Sequence, residues 1–149
     1  MREIKFRTWV KNESKMISGY SATVIDVFTQ SFAYRSKEVE LMQYTGLKDK
    51  NGKEIFEGDV IRIVEDNRMG GIYLGTIRYL GNWGVYGFNM LDAKVIETRD
   101  FGEKTMGFLM KHFGNCFTLA EAFKHGDESD FKVEVIGNIY ENPELLMKD

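Results

Sequence analysis

His112, Cys116 and His125 are the residues of this chain whose types and spacing come closest to doing chemistry. His112 and Cys116 stand four apart and would share a face on a helix, where an imidazole could activate the thiol or both could ligate a metal. Gly114 and Asn115 lie between them and favour a turn, which breaks that face. Two histidines and one cysteine also fall short of a four-ligand zinc site unless Asp127 or Asp130 joins, and no Cys-x-x-Cys spacing occurs. The expectation is that Cys116 is a small apolar filler and the histidines are surface or capping residues. Asp49-x-Asn51-Gly52 begins like a calcium loop but lacks the remaining ligands and the closing glutamate. Asp49, Glu54, Glu57 and Asp59 therefore read as turn residues, and no catalytic, metal or cofactor site is expected.

Two other constellations suggest binding rather than catalysis. Lys5, Arg7, Lys11 and Lys15 surround Trp9, a cation-plus-aromatic cluster that could grip nucleic acid through phosphates and stacking. The plainer reading is that these cations form the solvated face of a strand and Trp9 packs. Further on, Tyr73, Tyr79, Trp83, Tyr86 and Phe88 alternate with Gly75, Gly81, Gly84 and Gly87. Such a ladder could stack a single strand through Trp83 or line a peptide groove, but half of its rings must face a core. Its glycines mark bulges or close backbone approach, and without a Gly-Lys-Ser/Thr ending they make no phosphate loop.

These residues must be held by a sheet. Ile4, Phe6 and Thr8 alternate with Lys5, Arg7 and Trp9, the period of a half-buried strand; Lys11 to Lys15 is a polar turn and Met16-Ile17 begins the return. Residues 41–64 read LMQYTGLKDKNGKEIFEGDVIRIV. Asp49-Lys50-Asn51-Gly52 reverses the chain, Glu57-Gly58-Asp59 reverses it again, and Val60, Ile61, Ile63 and Val64 form the most apolar strand. An "EGD" turn before an apolar strand is common in small SH3-like barrels. Gly81-Asn82 should turn Thr76 to Leu80 back into Trp83 to Phe88, with a separate strand over Leu91 to Thr98. Thr118 and Glu121 form a capping-box pair, predicting a short helix from Leu119 to about His125. Val133, Val135, Ile136 and Ile139 describe the closing strand, expected to pair with the central block. Asn142-Pro143-Glu144 then starts a last helical turn over Leu145 to Lys148.

Composition agrees with one ordinary globular domain. The chain has 149 residues, 43% hydrophobic and 29% charged, enough to bury a core without staples. Its net charge of -3 argues against coating duplex DNA by bulk attraction, leaving only a local basic patch. A single cysteine allows no intrachain disulfide, and no apolar run reaches membrane-spanning length. The expected setting is cytoplasmic, with no membrane partner.

LMQYTGLKDKNGKEIFEGDVI, the opening MREIKFRTWVKNESKMI and the closing VIGNIYENPELL together resemble the YopX family of bacteriophage and prophage proteins. The resemblance implies an SH3-type barrel core with additions, a phage origin, expression in the bacterial cytoplasm and no settled activity; it transfers no functional residue. The fold expected is mainly β (α+β): an SH3-like barrel with an N-terminal hairpin and one or two short helices. Residues 1–149 form one domain with a variable insertion around 18–37, packed through Val24, Val27, Phe28 and Phe32 if helical, and a helical addition around 106–125. The function expected is non-enzymatic, binding a host or phage macromolecule, protein before nucleic acid, with self-association consistent with the apolar Met106 to Phe117 stretch. The alternative is a nucleic-acid-binding barrel using Lys5, Arg7, Trp9 and Trp83.

Overall fold

The computed structural model describes residues 3–18, 38–65, 71–80, 85–98, 116–118 and 131–147. The N-terminal alternation forms β1 (Phe6–Val10), which turns through the polar 11–14 segment into β2 (Lys15–Ser18). Strand β3 (Val39–Lys48) pairs antiparallel with the other edge of β1, and β4 (Glu54–Phe56) returns beside β3, giving the order β2-β1-β3-β4. The 49–52 hairpin lies where its turn residues predict, with Gly52 at φ +80°.

The second sheet takes over at the next turn. It contains β5 (Asp59–Glu65), β6 (Gly71–Leu80), β7 (Val85–Thr98), β8 (Cys116–Thr118) and β9 (Phe131–Asn138), in the antiparallel order β8-β7-β6-β5-β9. The closing strand thus pairs with the central block, against β5. Among the described residues the protein is mainly β, two antiparallel sheets with little helix. Strand β7 runs unbroken across the two strands expected there, because register shifts opposite Tyr73 and Thr76 absorb the irregularity without ending the ladder.

Gly58 makes the corner between the sheets. Its φ of +77° is one an L side chain rarely adopts, which the flanking strands impose by reversing direction within two residues. Glu57 N donates to Gln43 O, Gly58 N donates to Ile77 O and Ile139 N donates to Gly58 O, each at 2.9 Å. One turn therefore ties β3, β6 and the chain leaving β9.

Beside that corner, Ile55, Ile61, Ile63, Tyr73, Ile77, Tyr86, Phe88, Val133 and Val135 form the core, with Leu47 packed against it. The pairings Ile63 with Tyr73 and Val133, and Ile77 with Phe88, put these side chains on one face. Gly75 lies opposite Ile61, and a Cβ there would stand 2.4 Å from Phe88 Cζ. Phe88 is 1% exposed, so its ring has no room to swing away. Gly75→Ala is expected to cost about 1–3 kcal/mol, the range of overpacking in a filled interior. A urea midpoint unchanged by this substitution would contradict the packing described; partial recovery in Gly75→Ala/Phe88→Leu would locate the clash.

The last helical turn is a 3-10 turn at Pro143–Leu146, with proline at its start. Asn142 makes no side-chain cap there; its Oδ1 instead accepts from Asn138 N at 3.4 Å, because that carboxamide is turned back on the end of β9. The insertion around 18–37 beyond Ser18, the Gly81-Asn82 turn, the Met106 to Phe113 stretch and the helix expected over 119–125 lie outside the described residues. Among the described residues, no helix is long and apolar enough to cross a membrane.

Candidate functional site

The cation-plus-aromatic strip of β1 is where the described structure concentrates charge. Pairing with β3 places Lys5 beside Tyr44, and sets Arg7 opposite Met42 and Trp9 opposite Glu40. This face is turned toward the corner and the end of β9, where the Trp9 and Tyr140 rings stack at 5.8 Å and 19°. The expectation of a solvated cation face fails at Arg7, which is 8% exposed. Alternation along β1 does not separate a wet face from a dry one, because Arg7, Thr8 and Val10 are all buried.

Arg7 is buried because a carboxylate meets it. Its Nη2 donates to Asp59 Oδ1 at 2.5 Å and to Glu57 O at 3.3 Å, while its guanidinium lies 4.8 Å from the Phe56 ring centroid. The second oxygen of Asp59 accepts from Phe56 N at 2.8 Å. Asp59 is wholly buried, and burial pushes its carboxyl above the ordinary value while the Arg7 charge and the Phe56 N–H pull it back. The pair joins β1 of the first sheet to β5 of the second. Asp59 therefore does more than occupy the turn position expected of it.

The neighbouring cations are also engaged. Lys5 Nζ donates to Glu54 Oε1, lies 3.2 Å from Glu3 Oε2 and 5.4 Å from the Tyr44 ring centroid. The hydrogen bond to Glu54, then that to Glu3, raises the Lys5 pKa above its ordinary value. Lys11 pairs with Glu40 at 2.6 Å. The phenol of Tyr140 is raised by burial first and then by Glu40 and Glu57. The strip thus holds cations, rings and carboxylates in balance.

Asp49 forms a second polar centre. Its Oδ1 accepts from Asn51 N at 2.8 Å and from Lys53 N at 2.9 Å, the local bonds of a turn aspartate. Its Oδ2 accepts from Val135 N at 3.0 Å, and Lys50 N donates to Val133 O at 3.0 Å. The hairpin tip thereby closes the outer edge of β9, a contact across 86 residues that no local signal announces. Beside it Glu134 accepts from Arg62 at 2.5 Å and pairs with Lys50 at 3.2 Å. These two bonds, Lys50 first, lower the Glu134 pKa.

Trp83, His112 and His125 lie outside the described residues, as do Asp127 and Asp130, while Cys116 opens β8 opposite Asn89. Among the described residues, no three of His, Cys, Asp or Glu gather as metal ligands. In the aromatic ladder Tyr73, Tyr86 and Phe88 are buried, whereas Tyr79 is 51% exposed and meets Tyr86 edge-on at 5.3 Å.

The family profile described as YopX protein matches residues 5–147. No curated protein matches the chain. A crystal structure of protein EF1440 from Enterococcus faecalis is similar with a TM-score of 0.54 at 24% identity, over 99% of this chain and 100% of that one, a likeness of fold alone.

Proposed function

The chain belongs to the YopX family, and from that premise we propose that it is a phage- or prophage-encoded accessory protein of the bacterial cytoplasm, a non-enzymatic module that recognises another protein. The observation carrying this reading is how its polar groups are used. Lys5, Arg7 and Lys11 each face a carboxylate of the same chain, which leaves the β1 strip little uncompensated charge for a phosphate backbone. On the opposite face of the first sheet Thr8 and Val10 are buried and Ile17, Phe6 and Val39 half-buried, while Leu41 stands 39% exposed as the apolar side chain offered to a protein partner. The Glu57-Gly58-Asp59 corner leading into β5 supports reading the two sheets as an elaborated SH3-like barrel.

Three measurements test the proposal. Single-stranded and duplex DNA titrated at several salt concentrations should show no binding that weakens steeply with salt. A steep slope that disappears in Lys5→Gln or Trp9→Ala would establish the nucleic-acid reading instead. Immobilised protein should retain a defined partner from infected host cells, and Leu41→Lys should release it. Retention of the same partner by Leu41→Lys would remove that face from the proposal, and turnover of a small metabolite by the purified protein would overturn the non-enzymatic reading.

A further inference from the structure

No further inference is drawn: the strongest candidate, the half-buried apolar face of the first sheet formed by Phe6, Ile17, Val39 and Leu41, carries nothing more because nothing among the described residues shows what covers it.

Discussion

Asp59→Asn is expected to destabilise the protein by about 3–5 kcal/mol, the cost of stranding one member of a buried ion pair. The substitution changes little in volume, so packing is nearly conserved and the loss reports on charge. Arg7 would keep its buried guanidinium, with the carbonyl of Glu57 as its remaining acceptor. An asparagine oxygen can accept from either Arg7 or Phe56 N, but its amide then points a donor at the other donor. With a urea m value of about 2 kcal/mol/M, the unfolding midpoint should fall by about 2 M. Arg7→Met alone should cost a similar amount by leaving Asp59 uncompensated. The double variant Arg7→Met/Asp59→Leu should regain part of the loss, because two apolar side chains ask for no partner while Phe56 N still lacks the acceptor that Asp59 supplied. Additive losses in the double variant would show that Arg7 and Asp59 act separately, contrary to the latch described between the sheets.

That pair also marks the limit of what the sequence could reveal. Turns were legible because their causes are local: Asn51-Gly52 and Gly58 supply the backbone freedom each reversal needs, and the structure places Gly52 and Gly58 at positive φ. Val60, Ile61 and Ile63 were legible as a central strand because a branched apolar run is buried wherever the sheet closes over it. Arg7 misled for the opposite reason. Alternation assigns a charged residue to solvent unless a partner is known, and its partner lies 52 residues away. The length of β7 was hidden at Asn89-Met90, between the two strands expected there, although a register shift between Leu74 and Thr76 lets the ladder continue past that point. Gly75 was recognisable as a point of close approach, but only the tertiary structure identifies Phe88 as the group that approaches it.

Asp49→Asn should cost about 2–3 kcal/mol and change how stability responds to acid. The carboxylate joins the two arms of its turn through Asn51 N and Lys53 N, and it holds Val135 N on β9. Asparagine can serve one side but presents a donor to the other, leaving a buried N–H without an acceptor. Burial pushes the Asp49 pKa up, yet the N–H groups of Val135, Lys53 and Asn51 together carry it below the ordinary 3.8. A carboxyl depressed on folding stabilises the protein fully above its unfolded value, and that contribution is lost as pH falls through the folded value. The difference between wild type and Asp49→Asn should therefore be constant above about pH 5 and shrink once pH drops below the ordinary carboxylate range. Glu134 is depressed too, but it is present in both proteins and largely cancels in the comparison. Urea unfolding at a series of pH values reads this directly. A difference that stays the same down to the lowest pH would show that the Asp49 charge contributes nothing, and that the turn is held by shape and by the Lys50 backbone bond to Val133 alone.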